Sequence, residues 1–144
     1  MNISFYHVHQ ENFHIPVKVY YEDTDIAGIV YHANYLKYFE RARTEWLRAQ
    51  GFDQSRLFEA QTGFAVRAMQ IDFISAATLD DQLTVYCQLT KLKGASMLFE
   101  QLIIDQDKKE LCKAEVLVAC IHTKELKPMP IPREIKEVIQ RASS

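Results

Sequence analysis

Apolar and polar positions follow two different periods along this chain, and the change of period marks its architecture. Val17, Val19 and Tyr21 alternate with Lys18, Tyr20 and Glu22, the period of a half-buried strand, and the run stops at Asp23-Thr24-Asp25 ahead of Ala27-Gly28. From Ala33 the period lengthens. Tyr35, Phe39, Ala42, Trp46 and Ala49 are spaced 4, 3, 4 and 3 apart, one apolar stripe of a helix, with Lys37, Arg41, Thr44 and Arg48 opposite. Asn34 is a candidate N-cap and Gly51 a candidate left-handed stop, so the spacing predicts a helix over 33–50.

Past Gly51, Leu57 and Phe58 suggest a short helical turn under the main helix. Four long runs then cover 64–75, 82–92, 96–105 and 111–123, divided by turn compositions such as Leu79-Asp80-Asp81 and Lys93-Gly94. Consecutive strands joined by short turns predict antiparallel pairing. In the last run Cys112, Ala114, Val116, Val118 and Cys120 form one apolar face, and Leu117, Ala119 and Ile121 add a second face late. Leu83, Val85, Cys87 and Leu89 line one side of another strand whose opposite side is polar. A helix with an aromatic stripe must be covered, and these faces are what can cover it. The pattern therefore predicts an α+β fold of five strands around one long helix. Pro128, Pro130 and Pro132 bar regular sheet, and Ile135, Val138 and Ile139 then predict a short docked C-terminal helix. Without repeats, low-complexity segments or a linker, residues 1–144 read as one domain.

Charge and cysteine count narrow the class. A net charge of -2 supplies no basic footprint for nucleic acid or anionic lipid. Cys87, Cys112 and Cys120 have no CxxC spacing and no paired count, which predicts buried, reduced thiols. The N-terminal stretch lacks a basic start followed by an apolar segment, and no run approaches the ~18 apolar residues of a membrane helix. A soluble cytoplasmic protein is expected. Neither GxGxxG nor a P-loop is present, and no cofactor is expected.

The candidate chemistry gathers at the change of period. Asp25 lies between a strand end and a helix start, where a carboxylate can face a cleft beside the unpaired N–H groups of the helix; an Asp here can equally serve as a cap. Such an N–H can polarise a carbonyl. His32, seven residues on, can reach the same cleft and orient or activate water, or simply satisfy local backbone. Asp23, Asp25 and His32 lack a helical i,i+4 pair and a sulfur partner, so no metal is expected. Glu40, Arg43 and Glu45 read as a solvated set on the helix. Tyr31 and Tyr35, with Tyr38, Phe39 and Trp46, read as core and groove lining. Tyr31, Asn34, Tyr35 and Arg67 form the candidate substrate-binding set, Arg67 with Lys91 and Lys93 being able to meet phosphates.

The string Tyr21-Glu22-Asp23-Thr24-Asp25, Gly28, Val30-Tyr31-His32-Ala33-Asn34-Tyr35 and Phe39-Glu40-Arg41-Ala42-Arg43-Thr44-Glu45 resembles the signature of the hotdog-fold acyl-CoA thioesterases. Within that family it is most similar to the Tol-Pal-associated YbgC-type branch and related to 4-hydroxybenzoyl-CoA thioesterase. Phe64-Ala65-Val66-Arg67 and Leu79-Asp80-Asp81 extend the resemblance over nearly the whole chain, while Ile26-Ala27 stands where many members have Ala-Gly. The resemblance implies hydrolysis of acyl-CoA to a free acid and CoA, with Asp25 attacking the thioester or activating water and the backbone N–H at His32 as oxyanion donor. It also implies a homodimer or homotetramer with acyl sites at the interface, and acyl-CoA or acyl carrier protein as partner. A hotdog enoyl-CoA hydratase and a noncatalytic acyl-CoA-binding module are the alternatives.

Overall fold

The computed structural model describes residues 12–143. Residues 1–11, on which the expectation of no export signal rests, and Ser144 lie outside the described residues. The chain runs β1 (His14–Lys18), a 3-10 turn (Tyr21–Asp23), α1 (His32–Ala49), α2 (Gln54–Glu59), β2 (Thr62–Phe73), β3 (Gln82–Leu92), β4 (Ser96–Ile104), β5 (Glu110–His122) and α3 (Arg133–Ser143). The strands make one antiparallel sheet in the order β1-β3-β4-β5-β2.

Helix α1 forms where the sequence predicts it. Tyr35, Tyr38, Phe39, Ala42, Trp46 and Leu47 are buried, and Trp46 meets Phe99 of β4 edge-on at 5.2 Å. The stripe ends on Leu47 rather than Ala49, which is exposed. The helix stops at Gly51, whose φ of +97° only glycine adopts without strain. The sheet face against it carries Leu83, Val85 and Cys87 from β3, Met97 and Phe99 from β4, and the alternate residues of β5 from Cys112 to Cys120. Ile131, Ile135 and Ile139 seat α3 on the same core. Burial of this stripe is the main stabilising term, since each large side chain removed from water contributes roughly 1.5–3 kcal/mol.

Three expectations change. The first strand ends at Lys18, because Tyr20 and Asp23 bond each other reciprocally: Asp23 N–H donates to the Tyr20 carbonyl at 3.0 Å and Tyr20 N–H to Asp23 Oδ2 at 2.9 Å. That closes a 3-10 turn and leaves Tyr20 and Tyr21 exposed. Secondly, β2 pairs with β5 and not with its sequence neighbour β3. The connection 74–81 instead crosses the end of the sheet, taking Leu111 C=O on one side and exchanging bonds with Val19 on the other. Thirdly, α1 starts at His32 with Tyr31 as N-cap, which puts Asn34 in the first turn rather than at the cap.

All three cysteines are buried and unpaired by disulfide. Burial pushes the Cys112 thiol from its ordinary 9.0 up to about 12 and Cys120 up to about 11. A raised thiol pKa favours the fold below the unfolded value and loses that contribution as pH rises through the folded value. Stability to urea is therefore expected to hold steady from neutral pH to about 8.5 and to fall as pH climbs past 9.0 towards 11. Thiol reagents should label none of Cys87, Cys112 and Cys120 in the native protein and all three in urea; rapid native labelling would contradict the packing.

Candidate active site

The segment joining β1 to α1 is folded by its own side chains. Thr24 and Val30 pair as an isolated antiparallel bridge, closing a loop with Asp25 at its head. Asp25 N–H donates to Ile29 C=O at 2.9 Å, and Gly28 N–H returns to Asp25 C=O at 2.9 Å. Gly28 sits at φ +81°, which this turn requires and a side chain would oppose. The Asp25 carboxylate is held at one oxygen, Oδ1 accepting from Ala27 N–H at 2.9 Å. Asp25 is exposed and its other oxygen takes no hydrogen bond among the described residues, so the group is oriented yet available.

The helix beyond the loop is pinned by Asp23. Its carbonyl accepts Tyr31 N–H at 3.0 Å and Asn34 Nδ2–H at 2.8 Å. Val30 N–H bonds Ala77 C=O at 2.9 Å, and Ala77 N–H bonds the Tyr35 hydroxyl at 3.0 Å, so the crossing segment clamps the same turn. Asn34 N–H turns back to Tyr31 C=O at 2.8 Å. The first two helical amides, His32 and Ala33, have no acceptor among the described residues. Two free N–H groups at a helix amino end, where the backbone dipoles add, form an acceptor-seeking site, and the loop that leads into it carries the Asp25 carboxylate.

The expected site residues separate into groups. Asp25 and the His32 amide lie on one connection, Asp25 at the head of the loop and His32 at the start of α1. The His32 ring makes no hydrogen bond to Asp25; it packs on Tyr31 at 4.5 Å and on Phe73 at 6.1 Å. Tyr31 is exposed beside it, fit to line an approach. Asn34 spends its side chain on Asp23, and Tyr35 is buried with its hydroxyl occupied by Ala77, where burial raises its pKa. Arg67 stands apart, exposed at the β-bulge between Val66 and Ala68 of the edge strand β2. The Tyr38 hydroxyl is buried without a hydrogen bond, and burial first, then the nearby Asp23 carboxylate, raises its pKa.

Sequence reasoning missed two features. The Ala33 amide and the Ala27 donor are backbone groups that no side-chain motif reveals. Arg43, read as solvated, is buried at 8% exposure, and its Nη1–H donates to Gln101 Oε1 at 2.9 Å. Gln101, fully buried, donates from Nε2 to Phe39 C=O at 3.0 Å. Burial draws the Arg43 pKa downward. Gln101 on an inward row otherwise held by Phe99 and Ile103 was the available signal. Arg43 lines a cavity of about 350 Å³ between the middle of α1, α2 and the strands β2, β4 and β5, with Glu40 at its rim. Among the described residues no cluster of three metal-ligating side chains occurs, and no helix is long and apolar enough to cross a membrane.

Residues 19–139 match the thioesterase-like superfamily. The chain belongs to this thioesterase-like superfamily. It is 49% identical over 125 residues, 86% of this chain and 91% of the relative, to a Haemophilus influenzae protein named acyl-CoA thioesterase YbgC. An Escherichia coli protein named acyl-CoA thioester hydrolase YbgC is 43% identical, over 85% of this chain and 92% of its own. The structure of a probable thioesterase from Bartonella henselae superimposes with a TM-score of 0.78 at 39% identity, covering 83% of this chain and 98% of that one. The five-stranded sheet with its long helix is thus the hotdog arrangement of the thioesterase-like superfamily.

The Asn34 tie supplies a direct check. Asn34→Ala removes one donor from the Asp23 carbonyl, with an expected loss of about 0.5–1.5 kcal/mol of stability. Amide exchange at Tyr31 should accelerate while the amides of β4 keep their protection. Unchanged exchange at Tyr31 would mean that the helix start is held by something else.

Proposed function

We propose that the protein hydrolyses acyl-CoA thioesters to a free carboxylic acid and CoA, with Asp25 as nucleophile or general base. One observation carries the reading: a carboxylate oriented through a single oxygen lies in the loop that leads into two unpaired amides at the start of α1. The names of the relatives point to the same reaction.

The thioester carbonyl oxygen gains negative charge as its carbon becomes tetrahedral. The His32 and Ala33 N–H groups are directed at where that charge develops, and the helix dipole adds to them without reorganisation. The free oxygen of Asp25 either attacks the carbonyl carbon, giving an anhydride that water then cleaves, or takes a proton from the attacking water. In both routes the CoA thiolate leaves. The His32 ring, stacked on Tyr31 and Phe73, serves to wall the approach, and the exposed ring of Tyr31 joins it. Arg67, on the edge strand, is suited to the nucleotide phosphates.

The working unit in this reading is a dimer. Strand β2 is a 12-residue edge with Val66 and Phe73 exposed, a surface that a second copy can extend. Phe73, which packs on His32, and Ala65, at the cavity, lie equally far either side of Met69. An antiparallel β2 pairing about Met69 would bring the α1 amino end of one copy beside the cavity of the other. On the YbgC-type resemblance the reading extends to a cytoplasmic enzyme working beside the Tol-Pal system.

Thiol release from a series of acyl-CoAs tests the reaction, because a hydratase or a binding module releases no thiol from a saturated thioester. Asp25→Asn keeps the shape but removes the reacting oxygen, with an expected fall in kcat of about 10²-fold or more and binding nearly intact. His32→Ala should cost less, since its backbone N–H survives. A folded Asp25→Asn variant with full turnover would remove Asp25 from the chemistry, and a deader His32→Ala would make the imidazole the base.

A further inference from the structure

We infer that the cavity at Arg43 receives the far end of the acyl group and selects acyl groups that end in a carboxylate. The inference rests on the thioesterase reading and deepens it.

The guanidinium has been stripped of most of its water by folding, and among the described residues its one hydrogen bond is the Nη1 contact to Gln101. Gln101 cannot turn away, because its own Nε2 is committed to Phe39 C=O. Arg43 thus points a fixed, partly unpaired set of N–H donors at the cavity it lines. Among the described residues no carboxylate lies within ion-pair contact of it. Glu40, an exposed neighbour one turn back, sits at the rim beyond that contact.

The walls supply the other half of the specificity. Leu47, Leu57, Phe64, Met97, Phe99 and Val118 suit a methylene chain, and the volume of about 350 Å³ lies at the small end for ligand pockets. A chain ending in methyl would cover the remaining Arg43 donors with nothing to accept them, the costly case for a buried charge. A chain ending in carboxylate would accept two of them at once, in the fork geometry that arginine offers. The Glu40 charge at the rim works against an incoming anion, so the two residues have opposite effects on selection.

The test compares acyl-CoAs in matched pairs of equal length, short to medium, one member ending in methyl and the other in carboxylate. In the wild-type protein kcat/KM is expected to favour the carboxylate member by about tenfold or more at the best length, the ratio of a charge-assisted hydrogen bond. Arg43→Met, checked for native circular dichroism, should bring the ratio to one or below, and Glu40→Gln should raise it a few-fold. Should Arg43→Met not fold, the wild-type and Glu40→Gln ratios decide. The same ratios read as Kd by calorimetry on the Asp25→Asn protein make the subsite independent of turnover, so absent hydrolysis with a retained binding ratio would sink the reaction and not the subsite. A wild-type preference for the methyl member at every length, or a folded Arg43→Met protein with an unchanged ratio, overturns the inference.

Discussion

Helix α1 cannot face water on the side that carries Tyr38, Phe39, Ala42 and Trp46, and the sheet exists to cover that side. Phe39 and Ala42 are fully enclosed, and β3, β4 and β5 each contribute alternate apolar residues to the enclosure. Because close-packed side chains do not slide, the helix is fixed in rotation and along its axis. Every element of the candidate site then inherits a position from it. The free amides of His32 and Ala33 stand where the first turn stands, and the cavity lies about three turns further along, at Arg43.

The amino end of α1 is only partly covered, and the loop pairs some of its polar groups while leaving others open. Asp23 takes Tyr31 N–H and the Asn34 side chain, Ala77 takes Val30 N–H, and Asn34 N–H folds back on Tyr31. That leaves two donors at the start of α1 and one carboxylate oxygen of the loop without partners among the described residues, the groups to which the proposed mechanism assigns the thioester. In the proposed mechanism stability and reactivity would come from the same turn, since the groups its holding bonds leave out are the ones assigned to the chemistry. About three turns further along the helix Arg43 repeats the pattern, with one donor engaged by Gln101.

Much of this was legible in the residue pattern. The spacing of Tyr35, Phe39, Ala42 and Trp46 placed the helix to within a residue, and the runs 82–92, 96–105 and 111–123 anticipated strands found at 82–92, 96–104 and 110–122. Periodicity reports which face is buried but not which strand lies alongside, so the pairing of β2 with β5 was hidden; it depends on a crossing segment held by non-local bonds to Leu111 and Val19. The first strand was overextended because Val19 keeps an inward position after the ladder has ended at Lys18. Asp25 and His32 became candidates through the signature that contains them. Arg43 was not, because a charged residue beside the stripe looks solvated until its partner, Gln101, is found on a strand 58 residues away.

The central claim is that Asp25 and the two free amides of α1 act on one carbonyl. A crystal structure of the protein with an acyl-CoA analogue whose thioester sulfur is replaced by methylene tests it most directly. The account expects the analogue's carbonyl oxygen within hydrogen-bond distance of the His32 and Ala33 N–H groups, and its carbonyl carbon facing the free oxygen of Asp25. A carbonyl bound away from the start of α1, with those amides still unpaired, would contradict it.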